Sequence, residues 1–351
     1  MDVSESTRDG TFDVEKFSSK LETSYVGRRM VYTKVTGTTM DDAREDGLRG
    51  CPDGTIHLAE TQTKARGYKN HSWNALNTGN LYFSIILYRP KAISDEMNYK
   101  AIFDTELVAG LSLLQVASDL RLDNFCLKWP NDVWVKGRKV AGILLEDAGL
   151  VKGAEGEERQ LYILGMGINV NSDMRRHPEL YGIATSVRCE NRGGFIDREE
   201  MMASFCGNLE RLLKCDHDTL YDMASKSQLF DKGLRVRVTE YNSGQTFPGV
   251  MKNITSDWMV TIQDDNGKLL TKSQYDFSLR PIPSKKILVY NGDAADQQSA
   301  NGLLAMFQSL VDLVQFSIEN ISDKKLQEGN IYIYPTKKKR THIILYSDFF
   351  N

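Results

Sequence analysis

Very little in the composition of this chain announces a function. Its 351 residues include five cysteines, and Cys51, Cys126, Cys189, Cys206 and Cys215 share no short paired spacing. That argues against a disulfide framework or a zinc knuckle and leaves reduced thiols as the expectation. The five histidines are scattered, with no i, i+4 pair. An excess of charge of either sign is missing too. The net charge of −3 and a pI near 6.0 give no broad electrostatic reason to expect nucleic acid or a membrane surface as partner. No apolar run approaches the roughly 18 residues of a membrane-spanning helix. The opening stretch MDVSESTRDGTFDVE is acidic and polar, with neither an apolar signal core nor basic, acid-free transit character. A cytoplasmic location is the expectation. What remains is globular: 41% hydrophobic and 26% charged residues, in a chain long enough for two or three domains.

The pattern along the chain supplies the organisation. Residues 1–25 read as a flexible segment with at most one short helix over 13–23. From Arg29 onward, strand and helix signals alternate. MVYTKV reads as a strand, and Thr38 or Thr39 is a plausible N-cap with Asp41 and Asp42 in the first helical turn. TIHLAETQT and LYFSIILY read as strands around a polar, glycine-bearing loop, and a loop that long in a compact domain is usually functional or disordered. Apolar residues recur at helical spacing over 98–120 and 197–214. VWV-KG-RKVAGILLE reads as a hairpin turning at Lys136-Gly137, and LYILGMGINV as a strand ending in a glycine turn. Beyond Lys232 come short alternating strands, one pair joined at Asn266-Gly267, forming a small all-β module. After Pro281 and Pro283, KKILVYNG restarts as a parallel-type strand and residues 300–318 read as a helix.

Three polar loops follow strands: Gln62–Trp73, Lys128–Asp132 with Lys139, and Gly165–Asn169. Arg66, Lys69, Lys128 and Lys139 are cations with few acidic partners nearby in sequence, and Gly67 lets backbone approach a ligand. Cations with exposed amides suit a phosphate or nucleotide. Each feature has a bland counterpart. Lys139 could be an edge lysine with its stem on apolar surface. Gly165-Met166-Gly167 lacks the third glycine and the following helix of a dinucleotide fingerprint. Trp73, Trp129 and Trp134 could be core, and Lys337–Arg340 a solvated run.

Taken together, KWPNDVWVKGRKVAGILLED, AETQTKARGYKNHSW with NTGNLYFSI, and ILGMGINVN closely resemble the signatures of biotin–protein ligases, from about Val31 to Pro283. The resemblance implies an α+β fold: a class II tRNA synthetase-like mixed sheet flanked by helices, plus a small SH3-like C-terminal β-barrel. It implies a catalytic domain over 26–230, the SH3-like domain over 231–283, and an appendage over 284–351 that is similar to the opening of an amidotransferase-like domain. It implies biotin and ATP as substrates, with Mg²⁺: biotinyl-AMP forms first, and biotin is then passed to a lysine of a carboxylase acceptor domain. Lipoate or octanoate ligation and a weakened biotin-binding protein are the alternatives. By position, Lys139, Arg66 and Asp132 would be catalytic. Thr38, Thr39 and Gln62 would take the ureido end, and Gly142 and Leu144 would contact biotin. Lys128 and Asn131 would face phosphate, with Asn131 also a possible metal contact. Gly167 and Asn169 would face the adenosine side, and Trp73 would close the loop. Two departures stand out. Ala65 replaces a glycine, and Tyr68 replaces a cation that helps retain the adenylate. Only about 25 residues precede the catalytic pattern, so no DNA-binding domain or nucleic-acid partner is expected. A monomer is expected rather than a dimer.

Overall fold

The computed structural model describes residues 10–70, 73–75, 78–153, 155–174, 180, 183–228, 230, 232–282, 285–290, 316–321, 331–334 and 342–345. The chain divides into two units. The first holds Met1–Arg176, Thr185–Leu229 and Ile254–Met259, and the second His177–Ala184, Phe230–Asn253 and Val260–Asn351.

In the first unit α1 (Val14–Lys20) precedes β1 (Met30–Thr36), α2 (Thr39–Leu48), β2 (Ile56–Gln62) and β3 (Leu81–Pro90). Then follow α3 (Asp95–Asp119), β4 (Phe125–Lys128), β5 (Asp132–Val135), β6 (Arg138–Lys152) and β7 (Glu158–Ile168). The helices α4 (Val187–Glu190), α5 (Arg198–Leu212) and α6 (His217–Ser225) complete it. The seven strands form one sheet in the order β1-β2-β3-β7-β6-β5-β4. Only β1 and β2 run parallel; the other neighbours are antiparallel. This is the mixed sheet flanked by helices that the resemblance implies. The local signals behind it are physical. Thr38 caps α2, its hydroxyl accepting from Met40 N. Asp197 caps α5 in the same way. Lys136 and Gly137 both take positive φ, 49° and 76°, which matches the twist of a two-residue hairpin between β5 and β6. The helix α3 is long and apolar enough to cross a membrane, but 67% of its apolar window is buried inside the protein, as in a core helix.

The expectation of a flexible segment over 1–25 fails for its described part. Phe12, Phe17 and Leu21 are buried, and Asp13 caps α1. Glu210 on α5 accepts the backbone N–H groups of Ser24, Tyr25 and Val26 at 2.9–3.1 Å. These partners lie more than 180 residues away in sequence, so local pattern could not reveal them. Burial pushes the Glu210 carboxyl up, but the N–H groups of Tyr25, Ser24 and Val26 outweigh it and bring the pKa down to about 2. A depressed folded-state pKa gives stability that is present above the ordinary carboxyl pKa and lost as pH falls through the folded value. Glu210→Gln is therefore expected to cost about 1–2 kcal/mol near neutral pH, with the gap to wild type closing as pH falls from about 4.5 towards 2. Urea denaturation across that range checks it, and a gap independent of pH counts against it.

The residues 254–259 belong with the first unit, against the expected 231–283 domain. Trp258 explains this. It is 1% exposed, stacks on Phe103 at a centroid distance of 5.0 Å, donates Nε1–H to Asp104 at 2.7 Å and accepts Trp129 Nε1–H at 3.1 Å.

The second unit carries β8 (Arg235–Glu240), β9 (Thr246–Ile254), β10 (Val260–Asp264), β11 (Leu269–Lys272) and β12 (Phe277–Pro281). They form an antiparallel sheet in the order β11-β10-β9-β8-β12. Val236, Val238, Val260, Ile262, Phe277 and Leu279 are its buried alternate residues. A further sheet contains β13 (Lys285–Tyr290), β14 (Phe316–Ile321), β15 (Ile331–Tyr334) and β16 (His342–Leu345), in the order β14-β13-β15-β16. There β13 is parallel to both neighbours, as its apolar run predicts. The expected helix over 300–318 is corrected at its end, where residues 316–318 open β14. The rest of that helix and Lys337–Arg340 lie outside the described residues.

Candidate active site

The sheet order places β2, β3, β7, β6 and β5 side by side, and a cavity of about 70 Å³ opens on their face. Thr38 and Thr39 line it from the start of α2, and Gln62 from the end of β2. Arg66, Gly67, Tyr68 and Trp73 reach it from the following loop. Asn131, Asp132, Lys139, Gly142 and Leu144 line it from the β5–β6 hairpin, and Gly167 from β7. Residues drawn from well over a hundred positions of chain thus meet in one place.

One end is polar and buried. Thr39 N donates to Gln62 Oε1 at 2.7 Å, and the Thr39 hydroxyl meets Ser84 Oγ at 2.8 Å. At the hairpin, Lys139 Nζ lies 2.5 Å from Asp132 Oδ1, and Lys128 Nζ lies 3.6 Å from Asp132 Oδ2. Burial pushes the Asp132 carboxyl up, but the charges of Lys139 and Lys128 outweigh it and hold it below the usual carboxylate range. A carboxylate so stabilised is a weak proton acceptor and a strong anchor. Asn131 Nδ2 donates to Ile143 O at 2.7 Å and so fixes the hairpin's approach.

Trp73 takes up the centre. Gly142 and Gly167 are paired across β6 and β7. A Cβ on Gly142 would meet Trp73 Cζ3 at 2.9 Å, and one on Gly167 would meet Trp73 Nε1 at 2.6 Å. The two glycines form a slot for a flat ring, and the indole sits in it with Lys139 Nζ 5.0 Å from its centroid. Trp73 Nε1 is buried with no hydrogen-bond partner among the described residues.

Several expectations need correction. The cations, with few acids nearby in sequence, gain acidic partners from elsewhere in the chain. Arg66 grips Glu146 through Nε at 2.7 Å and Nη2 at 2.9 Å, and Asp41 through Nη1 at 2.9 Å. Both acids are remote in sequence and arrive by strand and helix packing. Lys128 does not line the cavity and pairs with Asp132 at 3.6 Å. Nor does Asn169, whose Nδ2 donates to Thr185 O at 3.1 Å. Ala65 does not take positive φ, so it carries no strain of that kind; Lys69 does instead, at 53°. Sequence reasoning missed Met40, Phe83, Ser84, Ile143 and Met166, which also line the cavity. Period-two alternation from Gly142 and Leu144 could have pointed to Glu146 as well.

Residues 32–169, which carry all of the cavity, match the model of the biotin/lipoate A/B protein ligase family. The chain is 30% identical over 196 residues to the bifunctional ligase/repressor BirA of Bacillus spizizenii, covering 56% of this chain and 54% of that protein. It is 27% identical over 248 residues to a biotin–[acetyl-CoA-carboxylase] ligase of Mycobacterium tuberculosis, covering 69% of this chain and 82% of that protein. The chain spans about half the length of the first of these relatives. Among solved structures, the biotin protein ligase from Aquifex aeolicus in complex with biotin and ATP superposes with a TM-score of 0.58, at 24% identity, over 72% of this chain and 99% of that one. That likeness speaks for the fold.

Proposed function

We propose that this protein is a biotin–protein ligase. The observation that carries the reading is the cavity itself, a slot lined by the buried polar groups of Thr39, Gln62 and Ser84 and by the cations Lys139 and Arg66, with Asp132 beside Lys139. The polar end suits the ureido group of biotin. Lys139 and Arg66 suit two anions that must meet: the biotin carboxylate and the α-phosphate of ATP. A carboxylate oxygen attacks the α-phosphorus, the bond to pyrophosphate breaks, and biotinyl-AMP forms. The amine of an acceptor lysine then attacks the acyl carbon, and AMP leaves. Lys139 stabilises the charge that develops at phosphorus. Asp132, held ionised, orients Lys139 and the incoming amine rather than acting as a strong base. Trp73 has to leave the glycine slot when a ring system enters. A buried indole N–H without an acceptor costs about 1–3 kcal/mol, so the displaced state is not heavily penalised.

The acceptors are the biotin-carrier domains of carboxylases, in line with the name of the Mycobacterium relative. Among the described residues no group of three or more His, Cys, Asp or Glu could cage a metal, and both Asp132 oxygens face lysines. Magnesium would accompany ATP, held by phosphate oxygens, water and at most one or two protein groups. The family also includes lipoate ligases, so labelled biotin and labelled lipoate should be offered in parallel, with ATP and a carrier domain. Transfer of biotin alone is expected. Transfer of lipoate alone, or biotin binding with no pyrophosphate release, would overturn the reading.

A further inference from the structure

Glu146 does not line the cavity, yet it holds Arg66, which does. Glu146 lies on β6, where side chains alternate between faces. Gly142 and Leu144 line the cavity, so Glu146 continues the same row, with Gly167, Gly165 and Ile163 as cross-strand partners. Its carboxylate takes Arg66 Nε and Nη2 side-on, while Asp41 takes Nη1. Arg44 Nη2 adds a contact to the same Glu146 oxygen at 3.2 Å. Glu146 is anchored in a strand, and Arg66 sits on the loop after β2.

We propose that Glu146 is the positioning residue for Arg66, fixing its guanidinium at the cavity so that its remaining N–H groups can take the ligand's anion. The arithmetic of donors allows it. A guanidinium has five N–H donors. Glu146 and Asp41 engage three, which leaves one on Nη1 and one on Nη2. The bidentate grip also fixes the plane of the fork, which a single contact would leave free to rotate. Arg66 thus need not release its acids in order to bind an incoming carboxylate or phosphate. The assignment rests on the biotin and ATP reading of the cavity.

The test combines Glu146→Gln with Arg66→Ala and the double variant. Glu146→Gln is expected to raise the KM for biotin about tenfold while kcat stays within about threefold. In the Arg66→Ala background it should add nothing, because the two act as one unit. Glu146→Asp should recover part of the loss. An unchanged or lowered KM in a folded Glu146→Gln protein would overturn the proposal, since Glu146 would then merely compete with the ligand for Arg66. Should Glu146→Gln fail to fold, Asp41→Asn decides. Asp41 is 67% exposed, and its loss should raise the KM in the same direction by a smaller factor; no rise overturns the proposal. Tryptic cleavage after Arg66 in the unliganded protein gives a readout that needs no biotin. It should quicken in Glu146→Gln, and an unchanged rate overturns the positioning role. A wild-type protein that ignores biotin, with cleavage still quickened by the variant, would place the failure in the proposed function and not in this contact.

Discussion

Lys139→Ala is expected to lower the rate of biotin transfer by about a hundred- to a thousandfold, the range seen when one preorganised donor to a developing charge is removed. The geometry explains why the loss should fall on chemistry and not on folding. The Lys139 side chain is 29% exposed, and its ammonium is held by Asp132 and lies against Trp73. Removing it leaves Asp132 with Lys128 as counter-ion, so the buried carboxylate is not stranded. The thermal midpoint should therefore move little. Lys139→Arg should recover only part of the rate, because a planar fork cannot occupy the place of a compact ammonium beside Asp132. Transfer of labelled biotin and pyrophosphate release should be measured on both variants with ATP and magnesium. A loss smaller than about fivefold would remove Lys139 from the transition state and leave it a rim lysine.

Arg198→Ala should cost about 3–5 kcal/mol of stability, the penalty for leaving one half of a buried ion pair alone. Arg198 is 5% exposed and Glu60 5%. Arg198 Nη1 donates to Glu60 Oε2 at 2.8 Å and to Asn80 O at 2.9 Å, and Nη2 donates to Gly10 O at 2.8 Å. Glu60 also accepts Phe12 N–H at 2.6 Å and the Tyr32 hydroxyl at 3.1 Å. Burial and the neighbouring Glu60 charge push the Tyr32 hydroxyl up to about 12. Burial works against the Glu60 carboxylate too, but Arg198 outweighs it and holds it below its ordinary range. Without Arg198 a carboxylate is left in the interior with hydrogen bonds but no counter-charge. The double variant Glu60→Gln with Arg198→Met should be markedly milder than Arg198→Ala alone, because nothing charged is then stranded. Urea denaturation of the single and double variants decides this. Additive losses would mean that the two groups are not coupled.

Turn chemistry and periodicity carry much of this molecule. Lys136-Gly137 and Asn266-Gly267 sit at hairpin turns, Thr38 and Asp197 cap helices, and the strands from β1 to β12 follow alternation and β-branched runs. These are short-range effects, settled by a few neighbouring residues, so they can be read in order along the chain. The polar loops after β2 and β4 were legible for the same reason, but the glycine turn expected over Gly165–Asn169 was not one: Gly165–Ile168 run inside β7, paired with β3 and β6. The partners were not legible. Glu146 meets Arg66 across 80 residues, Glu60 meets Arg198 across 138, and Glu210 meets residues 24–26 across more than 180. Which charge pairs with which is set by the order of strands in the sheet and by which helix packs against it, and no local propensity encodes that order. The Trp73 seat has the same origin. Gly142 and Gly167 look like ordinary strand glycines until the β6–β7 register lays them side by side and leaves a gap the width of a ring. The chain spells out its elements and their polar ends; the packing of those elements decides which of the polar ends become a site.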